Sequence, residues 1–182
     1  MTTTSTTTTL IQVTQNITQN ITGNISGEIN ASDVNVSIVV LCNLDVSQAN
    51  FTVSSYSGNP TNASFSVPGL NKYYEIDVCD SLKNGLDSAL LRFYYIQQEV
   101  DNAGLTESQL SMYWFNESLS VWLRLDNNTM DWVYGTGVDT IQDFVWANVT
   151  HFSQYTIGAG TQNQQTQLAL GWNLLSLALT TN

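Results

Sequence analysis

The chain has 182 residues, of which 42% are hydrophobic, and it carries a formal net charge of −11. Its four basic residues, Lys72, Lys83, Arg92 and Arg124, are scattered along the sequence. Nucleic-acid binding depends on clustered Lys and Arg that replace counterions, so we expect neither a nucleic-acid partner nor binding to an anionic membrane surface.

The N-terminal residues 1–9 form a low-complexity Thr/Ser leader. Thr and Ser follow Met1 in place of the basic and apolar regions of a signal peptide, so we expect an exported protein of this sequence to be a mature form. No run of about 20 apolar residues occurs, and we therefore expect no membrane span.

Residues 10–30 alternate between an apolar or small face and a polar face. Side chains of a strand alternate in this way, and the Ile, Val, Thr, Asn and Gly content disfavours a helix. The pattern predicts one extended strand, far longer than the typical length of about 5–6 residues. The alternative is two ordinary strands with a break at Gly23 or Gly27.

The polar face of this stretch carries Asn-X-Ser/Thr triplets, the acceptor pattern for N-linked glycans in exported proteins. Such triplets also arise by chance in polar tracts, but the regular four-residue spacing at the N-terminus favours genuine acceptors. We expect N-linked glycans as partners at the ten asparagines Asn16, Asn20, Asn24, Asn30, Asn35, Asn50, Asn62, Asn116, Asn127 and Asn148.

The apolar face repeats isoleucine at the same interval, at Ile17, Ile21, Ile25 and Ile29. A long half-apolar strand near a terminus favours pairing with another molecule, as in donor-strand complementation. We therefore expect these four residues to form a subunit interface in a homopolymer. The competing expectation is that the strand folds back onto its own domain.

The remaining chain alternates in short segments with turns between them. Strands are predicted at "DVNVSIVVL", "NFTVSSY", "ASFSVPG", "KYYEIDV", "QLSMYWF", "VWLRL", "DWVYG", "DFVWANV" and "FSQYTIG". The run "SALLRFYYI" is typical of a central strand, and "QQEVDNAG" is the one helical prospect, ending at Gly104.

These segments predict an all-β fold, an antiparallel immunoglobulin-like β-sandwich with at most one short helix. We expect a leader and N-terminal strand over residues 1–33 and the sandwich over residues 34–160. A linker and a last apolar strand, "LALGWNLLSLAL", are expected over residues 161–182.

Cys42 and Cys79 each end an apolar run. In an exported chain the natural expectation is one disulfide between them, with two free thiols as the alternative. Two thiols and one histidine are too few for a typical metal site, and we expect no metal and no cofactor.

Residues that suggest catalysis are few. His151 is the single histidine, and no nucleophile elbow accompanies it or the nearby Ser153, so we interpret His151 as a structural residue. Asp139 and Asp143 are candidates for a carboxylate pair but stand beside turns. The segment "DNNTMD", residues 126–131, lacks a calcium-loop pattern and is interpreted as a turn.

Tryptophan is the residue type that most suggests a carbohydrate platform. Trp114 and Trp122 flank a predicted hairpin and are expected to face each other across it, which is ordinary cross-strand packing. We therefore interpret the five tryptophans as packing residues, namely Trp114, Trp122, Trp132, Trp146 and Trp172.

Several segments together resemble a known family. "GLNKYYEIDV", "DSALLRFYY", "VDNAGLTESQLSMYWFNES", "GVDTIQDFVWANVTHFSQYTIG" and "LGWNLLSLAL" are similar to β-sandwich modules of S-layer-associated and adhesin-like surface proteins of methanogenic archaea. The resemblance covers residues 68–179, is strongest over residues 138–158, which include the Thr-His-Phe-Ser segment, and does not extend to the first 35 residues. It implies an exported, N-glycosylated, non-catalytic module.

The expected function is therefore that of a non-enzymatic structural glycoprotein at the cell surface. We expect a subunit of an archaeal extracellular filament or surface layer, joined by β-strand addition. The alternative is a monomeric carbohydrate-binding or adhesion module.

Overall fold

Alternating apolar and polar residues build two antiparallel sheets, which pack face to face as the predicted β-sandwich. The computed structural model describes residues 10–160. The Thr/Ser leader over residues 1–9 and everything predicted for residues 161–182, including Trp172, lie outside the described residues.

Over residues 10–160, sheet A has six strands in the order β1-β4-β5-β11-β7-β8. Their bounds are β1 Gln12–Ile21, β4 Val46–Tyr56, β5 Gly69–Val78, β11 Gln154–Ala159, β7 Leu110–Asn116 and β8 Val121–Arg124. Sheet B has five strands in the same part of the chain, in the order β2-β3-β6-β10-β9. Their bounds are β2 Gly27–Ala31, β3 Val36–Cys42, β6 Leu86–Tyr94, β10 Phe144–Val149 and β9 Val133–Asp139.

The core lies between the sheets, where the inward residues of the two sheets meet. Tyr74 of β5 packs on Phe93 of β6 with 4.3 Å between ring centroids, and Phe93 also contacts Tyr155 of β11 at 5.8 Å. The run "SALLRFYYI" lies mostly in β6, which occupies the middle of sheet B as predicted.

The long N-terminal strand is two strands, so the single-strand prediction is wrong and its alternative is confirmed. β1 lies at one edge of sheet A and β2 at one edge of sheet B, joined by residues 22–26. Gly23 permits this crossing, because a Cβ there would lie 2.9 Å from the Leu44 carbonyl carbon. Residues 12–31 are thus part of the sandwich, and the boundary expected after residue 33 falls between β2 and β3.

The isoleucines of this stretch do not form one free stripe. Ile21 and Ile29 are buried in the core of their own chain, at 2% and 0% exposure, and Ile17 packs against it. Ile25 lies in the crossing segment and is 60% exposed. The strand folds back onto its own domain, which corrects the expected insertion of all four residues into a neighbour.

Two short α-helices are present in the described chain, where at most one short helix was expected. α2, Gln97–Asn102, is the predicted helix, and Gly104 follows it with a φ of +64°. α1, Asp80–Gly85, connects β5 to β6 and buries Leu82. It was missed because six residues between two strands are too few for a helical period to show.

The segment "ASFSVPG" is not the predicted strand. Residues 57–68 form an irregular loop that crosses the outer face of sheet A. The ring of Phe65 packs against those of Tyr113 and Trp122, with centroids 5.2 and 5.9 Å away. The alternation of Phe65 and Val67 with polar residues therefore reflects loop side chains that are partly buried against the outer face of sheet A.

Candidate functional site

Most of the expected glycan acceptors gather along one side of the sandwich, which we call the sequon edge. We define it by β1, β2 and β4 together with the segments that join β1 to β2 and β2 to β3. The two sheets meet there, since Asp33 N donates a 3.0 Å hydrogen bond to Gln15 Oε1. All the acceptor asparagines of this edge are exposed, namely Asn16, Asn20, Asn24, Asn30, Asn35 and Asn50.

Two sequons of the sequon edge cross each other. Asn16 pairs with Thr52 in the register of β1 and β4, and Thr18 pairs with Asn50. The Thr52 hydroxyl donates to Asn16 Oδ1 at 2.9 Å, and the Thr18 hydroxyl donates to Asn50 Oδ1 at 2.7 Å. Each triplet's threonine thus holds the asparagine of the other triplet.

Carbonyl oxygens, rather than amide nitrogens, make these contacts. Asn20 continues the arrangement, because its Oδ1 accepts from the backbone N of Gln48 at 2.9 Å. The side-chain nitrogen is the atom that carries an N-linked sugar. Turning Oδ1 of Asn16, Asn20 and Asn50 toward the neighbouring strand leaves Nδ2 of each on an exposed surface.

The other four acceptor asparagines are dispersed. Asn62 is exposed in the loop over sheet A, and Asn127 is exposed in the turn after β8. Asn116 is half-buried, and its Oδ1 accepts from Leu119 N at 3.1 Å. Asn148 is half-buried in β10, and its Oδ1 is shielded without a hydrogen-bond partner among residues 10–160.

The two cysteines are free thiols, which corrects the expected disulfide. Burial raises the pKa of the Cys42 thiol, and the charge of Asp87 adds to this effect. Partial burial also opposes ionisation of Cys79, but hydrogen bonds from the Ser81 hydroxyl, 3.2 Å away, and from backbone groups bring its pKa below the usual value.

His151 lies among aromatic rings. Its ring meets Trp132 edge-on with centroids 3.9 Å apart, and Trp114 is 5.7 Å away. Burial lowers the pKa of His151 below its usual value. Trp114 Nε1 and His151 Nδ1 are both shielded and unpartnered within the described chain, and His151 O accepts from the Tyr155 hydroxyl at 3.0 Å.

Trp114 and Trp122 point to opposite faces, so the expected contact across their hairpin is wrong. The register pairs Trp122 with Phe115 and Trp114 with Leu123, and an offset of one residue reverses the face. Trp114 packs inward on Trp132 at 5.0 Å, and Trp122 packs outward on Phe115 at 5.3 Å. The described tryptophans, including Trp146, are all half-buried.

The acidic candidates occupy turns. Asp139 Oδ1 accepts from the backbone N of Ile141 and Gln142, at 2.9 and 3.0 Å, in the turn that also contains Asp143. Asp126 Oδ1 accepts from the Asn128 backbone at 2.9 Å in the "DNNTMD" turn. Over residues 10–160, no group of three or more His, Cys, Asp or Glu side chains is arranged to hold a metal ion.

Comparison with known families finds no match for the chain, and no curated protein sequence matches it. Within the described part of the chain, neither helix has the length and apolar character needed to cross a bilayer.

The hydrogen bonds between the two crossed sequons were not predicted from the sequence. Sequence reasoning assigned Asn16 and Asn50 as acceptors but had no register for β1 against β4. A period-two pattern identifies the outward residues, whereas only the strand pairing shows which of them meet.

Proposed function

We propose that the chain is a non-enzymatic structural glycoprotein of an archaeal cell surface, a subunit of an extracellular filament or surface layer. The resemblance of residues 68–179 to archaeal surface modules supports this assignment. The proposal includes N-linked glycans on the exposed acceptors and self-association into a polymer.

The observation that carries the proposal is the uneven distribution of the acceptors. Six of the ten gather at the sequon edge, and all six are exposed. The opposite edge strands, β8 and β9, contain no acceptor asparagine. A module with most of its acceptors along one side and edge strands without acceptors on the other fits a subunit that contacts neighbours and solvent on different sides.

We assign strand addition to the side of β8 and β9, at the edge of β9. An edge strand presents unpaired backbone N–H and C=O groups, which recruit another strand unless they are covered. Among residues 10–160, β9 pairs only with β10, and its Tyr134 is 57% exposed. Glycans on β1 and β2 would hinder the approach of a neighbour at the sequon edge, so association at β9 is favoured.

Negative-stain microscopy of native material tests the assembly. We expect polymers from the native chain and from Ile141→Lys, whose side chain is 92% exposed in the turn beside β9. Tyr134→Lys places a charge on the strand edge itself, and we expect it to abolish the polymer. Native material that contains only monomers would overturn the assembly proposal.

Intact mass measurement tests the glycoprotein assignment separately. We expect the native mass to exceed the 20.1 kDa of the bare chain, with sugar at Asn16, Asn20 and Asn24. A native mass equal to that of the unmodified chain would contradict the assignment.

A further inference from the structure

A polar cleft opens on the outer face of sheet A, at the side away from the sequon edge. It has a volume of about 430 Å³, which lies within the range of ligand sites in proteins. Its lining includes Gln154 of β11, and its walls come from the 57–68 loop and the β7–β8 hairpin.

Both walls are held by their own hydrogen bonds. In the loop, Asn59 Nδ2 donates to Ala63 O at 2.6 Å, and Thr61 N donates to Asn59 Oδ1 at 2.9 Å. In the hairpin, Ser120 has a φ of +52°, and its hydroxyl donates to Glu117 O at 3.4 Å. Preformed walls lower the ordering cost of binding.

The chemistry of the cleft favours a neutral ligand with several hydroxyl groups. Glu117 is the one charged residue of the lining, so an anion gains no cationic partner there. Thr61 and Ser120 supply hydroxyls, and Phe115 supplies a ring that suits the apolar face of a sugar.

Gln154 adds an unsatisfied group at this place. Its Oε1 is shielded and accepts no hydrogen bond from residues 10–160. A buried acceptor without a partner is costly. Because Gln154 lines the cleft, rotation of its side chain would offer this amide to a hydroxyl donor there.

We propose that this cleft binds a neutral pyranose ring. Gln154 and Glu117 accept hydrogen bonds from the sugar hydroxyls, Thr61 and Ser120 complete the polar contacts, and Phe115 contacts the ring face. Asn62 belongs to the same lining and is an exposed glycan acceptor. The sugar therefore comes either from a glycan on Asn62 of the same chain or from a separate saccharide.

The first test uses the full chain from a host that adds no glycans, so it does not depend on the proposed function. Glucose, galactose and N-acetylglucosamine are titrated separately while amide NMR shifts are recorded. We expect saturable shifts at Thr61, Ser120 and the Gln154 side chain for at least one of them. Shifts spread over the whole surface, or no shifts, would overturn the proposal.

Two variants and a matched control refine this test. Gln154→Leu removes the acceptor, and Ser120→Gly removes a hydroxyl while keeping the positive φ of the turn. We expect each to weaken binding about two- to tenfold, as for the loss of one hydrogen bond. Gln142→Leu, at an exposed glutamine outside the cleft, is expected to bind like the parent chain. Equal binding by Gln154→Leu and Gln142→Leu would contradict the assignment.

A second arm identifies the source of the sugar and rests on glycosylation of the native chain. If a glycan on Asn62 fills the cleft, the native chain ignores added saccharide and native Asn62→Gln binds it. If a separate saccharide is the ligand, both native chains bind it equally. Binding of methylammonium in place of the three sugars would overturn the choice of ligand.

Discussion

Thr18 donates its hydroxyl to Oδ1 of Asn50, 2.7 Å away on the neighbouring strand. Thr18 completes the acceptor triplet of Asn16, whose Oδ1 receives the equivalent bond from Thr52 at 2.9 Å. One hydroxyl therefore has two roles, since it defines one acceptor site and orients the asparagine of another. At the sequon edge, the residues that define glycan acceptors therefore also bond β1 to β4.

Replacing Thr18 by Val should affect both roles. The substitution destroys the triplet of Asn16, so glycopeptide mapping of native protein should find Asn16 unmodified. In unglycosylated chain, loss of the bond to Asn50 should lower the free energy of unfolding by about 0.5–1.5 kcal/mol, measured with urea.

The control is Thr18→Ser, which keeps a hydroxyl and the acceptor triplet. It should retain sugar on Asn16 and most of the lost stability. Equal stability of Thr18→Val and Thr18→Ser would show that the bond to Asn50 contributes nothing in solution.

Acidification should weaken the fold through His151, the only histidine of the chain. Burial lowers its pKa below the usual 6.5, so near pH 6 the unfolded chain binds the proton more readily than the folded chain. Stability contributed by the neutral ring is complete above pH 6.5 and is lost as the pH falls toward the folded pKa.

The measurement is the urea midpoint at about pH 8 and about pH 5 for the parent chain and for His151→Gln. The parent should lose more stability than His151→Gln, because carboxylates titrate in both chains and the imidazole titrates in one. An identical loss in the two chains would place His151 in a solvated position.

The alternation of apolar and polar residues was sufficient to predict the sandwich, because most strands place their apolar residues on one face, which packs in the core. Val36, Ile38 and Val40 of β3 are buried, as their period-two spacing predicts. Alternation was misleading around Phe65, where a loop buries an aromatic ring on the outside of sheet A. A single sequence contains the spacing of apolar residues but not the identity of the surface that covers them.

Contacts between distant segments explain the other misses. The opposite faces of Trp114 and Trp122 follow from a register that the hairpin sequence does not fix. The cleft combines Asn62, Glu117 and Gln154, which only the fold brings together. The disulfide between Cys42 and Cys79 was predicted from a general rule about exported proteins, and that rule contains no information on the geometry of this chain.

Gly69 allows β5 to approach β11 closely. A Cβ at this position would lie 2.6 Å from the Ile157 carbonyl oxygen and 3.0 Å from the Phe65 ring. Gly69→Ala should therefore lower the free energy of unfolding by about 1–3 kcal/mol in a urea titration, since backbone atoms must move. Gly58→Ala is the control, because its Cβ would meet Leu10 at an ordinary 3.5 Å. Equal effects of the two substitutions would contradict the close approach.

The two thiols should differ in reactivity toward iodoacetamide. Cys79 is half-buried with a lowered pKa, and Cys42 is buried with a raised pKa, so native protein should be alkylated at Cys79 alone. Unfolded, unreduced protein should react at both cysteines. Absence of any reactive thiol after unfolding would restore the disulfide expected from the sequence.

The isoleucines of residues 10–30 test whether this stretch stabilises its own domain or a neighbour. Ile29 is fully buried in the core, whereas Ile25 is 60% exposed. Ile29→Ala should lower the free energy of unfolding by about 2–5 kcal/mol, because it leaves a cavity between the sheets. Ile25→Ala should change it by less than about 0.5 kcal/mol, as is usual for exposed positions.

The dependence on protein concentration completes this test. A strand that packs in its own chain gives an unfolding midpoint that does not change with concentration, whereas a strand donated to a neighbour gives one that rises with it. We expect a constant midpoint for the unglycosylated parent chain and for Ile29→Ala. A midpoint that rises with concentration, together with equal losses from Ile25→Ala and Ile29→Ala, would restore the insertion of these isoleucines into a neighbouring subunit.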